Sequence, residues 1–512
     1  MSKPSRRPAR EKRKLVPIKE RRRAQAELAE KRSELGYTKR PHTSISNHKC
    51  TYGSVEEEQL ARNQATAEHI EAIRSQLPFL LTRISKIKDA RNPEKIKYAL
   101  DVLVLYGMIS FVLHMHSSRE TTRKMTRPMF WANLQILFPE FADNPEAPHH
   151  CTLTRVLSKI DVNDISDLII ALVAKWIKKK KFARYLIDQR YLVSVDGTQK
   201  MCLGRLWDEE CLQRTFNKGK EDEYSQYYVY VLQATLTLSG GMSIPLMSEF
   251  LSYSEGDSDR DKQDCETKSF HRLAKRLKKA FPNLKFMLLL DGLYPSGPVF
   301  EACRKNNWQY MIVWKDKVLK SSETEFEALC KLVPENSRTM KYNNREQEYR
   351  FANDIDYTYG PNENKSETIH AVECLETWEE IEEGGTNVVE KSSKHRWISS
   401  EPLSKLNLHR RCNLCARARW TIETIFLVEK HHGYQFEHCF SLNWNAMKGY
   451  HYLMQLAHVF NVIAQHSKIV IENIKELGVR GFIDFVRESI ANPWLDGDWL
   501  KVRLGLAPSR CG

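Results

Sequence analysis

The sequence predicts an α/β protein with an all-α N-terminal region. Between Val55 and Tyr185, apolar residues recur at helical spacing, and "IKYALDVLVLYGMISFVLHM" is long and apolar enough for a buried helix. At Tyr191 the period changes to that of strands, in "YLVSVDG", "YYVYVLQATLTL" and "MSIPLMSEFL". An amphipathic helix, the apolar run "KFMLLLDG", a short helix and "WQYMIVW" follow. The predicted order is β-β-β-α-β-α-β, with the first three strands in an antiparallel meander.

Composition divides the chain into five predicted regions. Residues 1–50 are basic and poor in apolar residues, so we expect a flexible arm or a solvated helix there. Beyond Trp314 the sequence is polar and irregular with strand-like pieces, which indicates an inserted β-rich subdomain. The regions are the arm at 1–50, a helical region at 51–186, a core at 187–315 and 396–466, the β-rich insertion at 316–395 and a C-terminal helical region at 467–512.

The charge balance favours a polyanionic partner. Lys and Arg number 79 against 65 Asp and Glu, a net charge of +14, so nucleic acid is the first partner to consider. The longest uncharged apolar run, 102–115, is shorter than the roughly 20 residues that a membrane-spanning helix needs. The N-terminus also lacks an apolar signal-peptide core. We therefore expect a soluble, cytoplasmic protein with no membrane partner.

The twelve cysteines are scattered, which is typical of reduced thiols in a cytosolic compartment. The close pair Cys412 and Cys415 leaves a zinc site open, although a single CxxC without a second pair is more often a structural accident. The histidines near this pair in the sequence are His409, His431, His432 and His438.

Two aspartates, Asp196 and Asp291, stand at the predicted ends of strands. Each follows an apolar strand run and precedes a glycine. A carboxylate at the end of a buried strand is held by the sheet while its head reaches the rim, where α/β folds present reactive groups. One Asp-Gly is more simply a turn. Two of them, separated by the β-β-β-α pattern, favour a shared site.

A third acidic residue lies in "RARWTIETIFLVEKHHGYQFEH", residues 417–438, which we expect to form a helix ending near Gly433. At about 100° per residue, Arg419, Glu423 and Lys430 fall within roughly 40° of one another and form one stripe. Apolar residues on the other faces would bury the helix against the sheet. The stripe is therefore expected to face the two aspartates.

The carboxylates of Asp196, Asp291 and Glu423 would form a hard-oxygen site suited to Mg²⁺ or Mn²⁺. Two such ions can activate a nucleophile on one side of a phosphodiester and stabilise the leaving oxygen on the other. Arg419 offers a planar fork for phosphate oxygens and Lys430 a mobile point charge. Basic residues beside an acidic centre suit a polyanionic substrate.

At these residues the chain resembles the DDE transposases of bacterial insertion sequences, in the group whose catalytic core is interrupted by a β-strand insertion. That group carries a Y-x2-R-x3-E-x6-K signature, and Arg419, Glu423 and Lys430 stand at its intervals. Ala416 stands where the family has tyrosine, which is a departure. The downstream "GYQFEH" and the preceding "RWISS" also look like this family, and the resemblance spans about 191–466.

The resemblance implies an RNase H-like catalytic core, interrupted by the β-rich insertion and preceded by a DNA-binding helical region. It implies that Asp196, Asp291 and Glu423 are catalytic and bind the metal, and that Arg419 and Lys430 contact phosphates of the element end. It also implies a tryptophan of the insertion that stacks on a flipped base. Trp397 is the candidate, with a core tryptophan of the returning strand as the alternative.

The expected function is cut-and-paste transposition of an insertion sequence in the bacterial cytoplasm, at the nucleoid. Metal-dependent hydrolysis at the element ends would be followed by strand transfer into target DNA. The resemblance implies double-stranded DNA as partner, two Mg²⁺ or Mn²⁺ ions, and a homodimer in the DNA complex. Two alternatives stay open: a catalytically inactive, transposase-derived DNA-binding protein, and another RNase H-like nuclease such as a resolvase.

Overall fold

The computed structural model describes residues 16–38, 49–252, 265–468 and 470–506. The protein is mixed α/β, and its chain divides into two units that are described separately here. Unit 1 comprises residues 1–44, 295–300 and 311–413, and unit 2 comprises residues 45–294, 301–310 and 414–512.

The predicted basic arm contains a helix in its described part. Helix α1 (Ile18–Glu34) is mostly exposed, as expected of a solvated helix rather than a flexible arm. Within unit 1, Lys31 pairs with Glu379 at 2.9 Å, and the backbone N–H of Val16 donates to the carbonyl of Gly384 at 3.1 Å. The arginines and lysines before residue 16 lie outside the described residues.

The predicted all-α region is confirmed in unit 2. Its helices are α2 (Val55–Arg74), α3 (Leu77–Ile84), α4 (Leu100–Val112), α5 (Ser118–Met125), α6 (Pro128–Leu137), α7 (His150–Leu157) and α8 (Asn163–Lys178). The predicted buried helix is α4, in which every residue except Asp101 is buried. No helix among the described residues is both long and apolar enough to cross a membrane.

The strands begin at Tyr191, as predicted. The elements in chain order are β1 (Tyr191–Leu203), β2 (Leu212–Phe216), β3 (Tyr224–Thr237), β4 (Ser243–Phe250), α9 (Glu266–Ala280), β5 (Phe286–Leu290), α10 (Gly297–Lys305) and β6 (Gln309–Val313). The predicted order is confirmed with one addition, the short strand β2. The predicted end of β1 at Asp196 is wrong, because the strand continues to Leu203 through its antiparallel pairing with β3.

The sheet of unit 2 brings the two predicted aspartates side by side. β1 pairs antiparallel with β3 on one edge and parallel with β5 on the other, and β3 also pairs antiparallel with β2 and β4. The last pair between β1 and β5 is Val195 with Leu290. The next residue of each strand is Asp196 and Asp291 respectively, and neighbouring strands lie about 4.8 Å apart.

Unit 1 contains an antiparallel sheet. Its remaining elements are α11 (Lys320–Leu332), β7 (Ser337–Tyr342), β8 (Arg345–Tyr359), β9 (Lys365–Ile381) and β10 (Val388–Ser399). Residues 311–313 of β6 pair with β10, and the strand order then runs β10, β9, β8, β7. The predicted β-rich character is confirmed, whereas α11 was not predicted. The predicted insertion, 316–395, is shorter than the segment 311–413 of unit 1.

The predicted helix over 417–438 is only in part an α-helix, because residues up to Trp420 form a 3₁₀ turn and the α-helix ends at His431. A π-helical turn at His409–Cys415 and a 3₁₀ turn at Ala416–Trp420 precede α12 (Thr421–His431). The helices that follow are α13 (Trp444–Gln465), α14 (Ile471–Ala491), which is kinked at Gly478, and α15 (Gly497–Arg503). Within unit 2, α13 packs against α4 and α8.

The chain after α12 is anchored in the core of unit 2. The Tyr434 ring lies edge-on to His114 with centroids 4.7 Å apart, and the Tyr434 hydroxyl accepts a hydrogen bond from the Asn461 amide at 2.9 Å. Buried Lys200, on β1, donates from Nζ to the carbonyl of Phe436 at 2.9 Å. These contacts fix the C-terminal end of α12 against both β1 and α13.

Gly433→Ala is expected to destabilise unit 2. Gly433 has a φ of +115°, and a Cβ there would lie 2.3 Å from Nδ1 of the buried His114. Backbone strain and the clash together should lower the free energy of unfolding by about 3 kcal/mol, measured by urea denaturation. The control is Gly204→Ala, where a Cβ meets nothing within 4 Å. Equal stability of the two variants would contradict this account of the turn.

Candidate active site

Asp196 and Asp291 are held at one edge of the β1–β5 pair. All residues of β5 are buried, as expected of a central parallel strand, and the chain leaves the sheet at Asp291. Oδ1 of Asp291 accepts a hydrogen bond from the backbone N–H of Leu293 at 2.5 Å, and Oδ1 of Asp196 accepts one from the N–H of Gly197 at 2.9 Å. The expected convergence of these two carboxylates therefore follows from strand register.

Arg419 links Asp196 to Glu423. One terminal nitrogen of its guanidinium bonds Oδ2 of Asp196 at 3.2 Å, and the other bonds Oε1 of Glu423 at 2.8 Å. The Arg419 side chain is only 9% exposed, whereas Glu423 is 57% exposed. Arg419 lies in the 3₁₀ turn and Glu423 in the first turn of α12, so these two members of the predicted stripe are in contact despite the break in the helix. The third member, Lys430, pairs with Glu437.

The link sets a limit on the separation of the carboxylates. The terminal nitrogens of a guanidinium lie about 2.3 Å apart, so the two bonded oxygens lie within about 9 Å of each other. Arg419 supplies the positive charge between them. Among the described residues, the group of three side chains whose metal-ligating atoms lie within 4.8 Å of one another is His149, His150 and Cys151. Asp196 and Glu423 are therefore near each other, but the oxygens of all three carboxylates do not lie within 4.8 Å of one another.

The environment of Asp196 opposes the negative charge of its carboxylate. The pKa of Asp196 is raised to about 6, mainly by burial and in addition by the negative charges of Asp291 and Glu266. The Gly197 N–H and the Arg419 guanidinium act in the opposite direction. Its side chain is 21% exposed. A buried carboxylate with a raised pKa among other acids is typical of a site that binds a cation.

A further carboxylate, Glu266, lies beside these residues and was missed in the sequence. It stands in the first turn of α9, where Oε1 accepts a hydrogen bond from the Tyr230 hydroxyl at 2.7 Å and Oε2 one from the Tyr294 hydroxyl at 3.1 Å. Burial, Glu266, Asp196 and Asp291 all raise the pKa values of both tyrosines. The sequence signal for Glu266 was its place at the start of the helix that precedes β5, the strand followed by Asp291.

The donor set fits Mg²⁺ or Mn²⁺. These ions prefer carboxylate oxygens, and Asp196, Asp291 and Glu423 offer them from two strands and a helix. Arg419 already balances part of the negative charge at this place. A divalent cation would compete with the Arg419 guanidinium for Oδ2 of Asp196 and Oε1 of Glu423.

The other predicted DNA contacts have different surroundings. Lys430, at the end of α12, pairs with Glu437 at 2.9 Å and lies over the Phe436 ring at 5.9 Å. Trp397, in β10 of unit 1, is buried and stacks on His395 with centroids 5.7 Å apart. This burial is what the alternative of a core tryptophan expects, and a base could stack on Trp397 only if the ring became exposed.

The cysteines of the predicted CxxC are both buried. Within the described part of the chain, neither belongs to a group of three side chains placed to hold a metal ion. Ala416, at the family tyrosine position, is also buried.

Comparison with known proteins supports the resemblance drawn from the sequence. Residues 213–460 match the family described as transposase DDE domain. The match contains Asp291, Glu423, Arg419 and Lys430 and begins after Asp196. No curated protein was found to match this chain.

Asp196→Asn should stabilise the metal-free protein in a pH-dependent way. The folded-state pKa of about 6 lies above that of an exposed aspartate, about 3.9. The stability that the protonated group contributes is therefore full below about pH 4 and is lost as the pH rises through 6. In EDTA, the stability advantage of Asp196→Asn over the wild type should grow by about 2 kcal/mol between pH 4.5 and pH 7.5 in urea denaturation.

The control is the exposed Asp143, changed to asparagine in the same way. Its effect on stability should not change over this pH interval. An effect of Asp196→Asn that stayed constant from pH 4.5 to pH 7.5 would show that burial and neighbouring acids do not oppose the charge of Asp196.

Proposed function

We propose that this protein, in which residues 213–460 match the family described as transposase DDE domain, is the transposase of a bacterial insertion sequence and acts by cut-and-paste transposition. Its core would be RNase H-like, with unit 1 carrying the β-rich insertion. It would cut double-stranded DNA at the element ends and join the freed 3′ ends to target DNA.

One observation carries the proposal: the register of β1 and β5 makes neighbours of Asp196 and Asp291, and Arg419 links Asp196 to Glu423. These three residues come from chain positions far apart, yet they match the order of acidic residues in DDE transposases. The matched range of the family, residues 213–460, contains Asp291 and Glu423.

In this proposal Asp196, Asp291 and Glu423 bind two Mg²⁺ or Mn²⁺ ions. When bound, these ions would activate water or a 3′-hydroxyl as the nucleophile and stabilise the leaving oxygen. The protein then needs no covalent nucleophile of its own. The sheet holds Asp196 and Asp291 in place, and burial of Asp196 favours partial neutralisation by a cation.

Arg419 and Lys430 are proposed to bind the phosphates of the DNA strand. Arg419 is held in place by two carboxylates, and a cation that takes over those oxygens would release its planar fork for phosphate. Lys430 would exchange its partner Glu437 for a phosphate oxygen. Stacking of a flipped base on Trp397 would require that the ring leave its buried position.

The wider setting follows from the same proposal. A homodimer would hold two element ends together, and the net charge of +14 favours a DNA partner. The protein would act in the bacterial cytoplasm, at the nucleoid.

Glu423→Gln is expected to reduce strand cleavage at least about a thousandfold, because it removes one carboxylate from the cation site while keeping its size. The assay uses DNA carrying the element's own ends, Mg²⁺ and gel analysis of cut and joined products. The control is Glu221→Gln, which makes the same change at an exposed glutamate of the β2–β3 turn. Normal cleavage by Glu423→Gln would overturn the proposed mechanism.

The same assay separates the alternatives. A wild-type protein that binds the ends but does not cut them, with Mg²⁺ or Mn²⁺, would be a transposase-derived DNA-binding protein. Cleavage that never joins the cut ends to a second DNA would indicate another nuclease, such as a resolvase.

Arg419→Ala should affect cation binding and cleavage in opposite directions. Removing the guanidinium takes away a positive charge that competes for Asp196 and Glu423, so Mn²⁺ should bind several-fold more tightly. Cleavage should nevertheless fall, because a phosphate contact is lost. The Mn²⁺ dissociation constant is measured by titration with electron paramagnetic resonance as the readout. The cleavage rate is measured in the assay described above. Weaker Mn²⁺ binding would show that Arg419 supports the cation site rather than competing with it.

A further inference from the structure

Glu266 is a carboxylate held rigidly beside the two strand aspartates. Its two oxygens accept hydrogen bonds from two hydroxyls, those of Tyr230 and Tyr294, at 2.7 and 3.1 Å. Tyr230 lies on β3, next to β1, and the fully buried Tyr294 follows Asp291 in the chain. The carboxylate is thus fixed from both sides of the β1–β5 edge.

The fit between Glu266 and β1 is close. A Cβ at Gly197, the residue after Asp196, would lie 3.0 Å from Cδ of Glu266 and 2.4 Å from Cε1 of Tyr230. Only glycine leaves room for the carboxylate at this place. Glu266 therefore packs directly on the backbone that carries Asp196.

The charge of Glu266 has no cationic partner among the described residues. Both of its hydrogen-bond donors are neutral phenols, whereas Asp196 and Glu423 share Arg419. Neutral donors fix a carboxylate without cancelling its charge, so the field of Glu266 still acts on its surroundings. The surroundings include Asp196, because Glu266 packs on the next residue of β1, Gly197.

We propose that Glu266 is a positioning residue of the cation site, a fourth acidic group that strengthens the binding of a divalent cation at Asp196 and Asp291 through its fixed charge. This inference rests on the proposed function, because it takes the cation site as given. Glu266 would act on the cation without contact to the DNA. Tyr230 and Tyr294 hold it in orientation.

A simpler role exists for a glutamate in the first turn of a helix, where a negative charge stabilises the helix N-terminus. That role predicts a loss of stability when the charge is removed and no change in cation affinity. The two roles therefore differ in a measurable quantity, the dissociation constant for Mn²⁺.

The test is titration of the full-length protein with Mn²⁺, followed by electron paramagnetic resonance, without DNA. Glu266→Gln keeps the size of the side chain and removes its charge, and it should bind Mn²⁺ about tenfold more weakly than the wild type. Glu266→Asp retains the charge and should restore most of the affinity. The control Glu221→Gln should bind Mn²⁺ like the wild type.

Mn²⁺ affinity of Glu266→Gln within about twofold of the wild type, with binding abolished in Asp196→Asn, would overturn the inference. Thermal unfolding and circular dichroism check that each variant is folded. If the amide of Glu266→Gln is not tolerated between two hydroxyls, Glu266→Ala is the second variant, with the same expected loss.

The inference and the proposed function fail separately. If cation binding depends on Glu266 but the protein cuts no DNA, the inference is supported and the proposed transposase function is wrong. If transposition depends on Asp196, Asp291 and Glu423 but Mn²⁺ binding does not depend on Glu266, the proposed function is supported and the inference about Glu266 is wrong.

Discussion

The parallel pairing of β1 with β5 is the constraint on which the candidate site depends. Two strands far apart in the chain are held in a register whose last pair is Val195 with Leu290, and this register makes neighbours of the next residues, Asp196 and Asp291. Two carboxylates at this spacing repel each other in a partly buried place. The sheet supplies the mechanical support that keeps them together, and the remaining features of the site compensate for their charge.

Compensation comes from groups of different strength. Arg419 holds Asp196 and Glu423 through charged hydrogen bonds, whereas the donors to Glu266 are the phenol hydroxyls of Tyr230 and Tyr294. The result is a site with more negative charge than the side chains around it cancel. Uncancelled charge of this kind lowers the stability of the folded protein, and proteins retain such a loss of stability where function requires it.

The sequence allowed Asp196, Asp291 and Glu423 to be predicted because each follows a local signal: an apolar strand before an aspartate, or a spacing within one helical segment. It did not reveal the β2 strand or α11, whose exposed, polar residues carry a weak apolar pattern. The break at Trp420 was missed because a 3₁₀ turn still places Arg419 next to Glu423. Glu266 was missed because its partners Tyr230 and Tyr294 are 36 and 28 residues away, and periodicity carries no information on such contacts.

Asp196 lies within β1 and not at its end, which divides the candidate site into a rigid and an adjustable side. β1 continues to Leu203 and pairs with β3 on both sides of a bulge at Lys200, whose side chain donates a hydrogen bond to the chain after α12. Asp196 cannot shift without this whole strand, whereas Glu423 is 57% exposed on the first turn of a helix. In the proposed mechanism, adjustment to the radius of a bound ion or to the progress of the reaction would therefore fall to Glu423 and its helix.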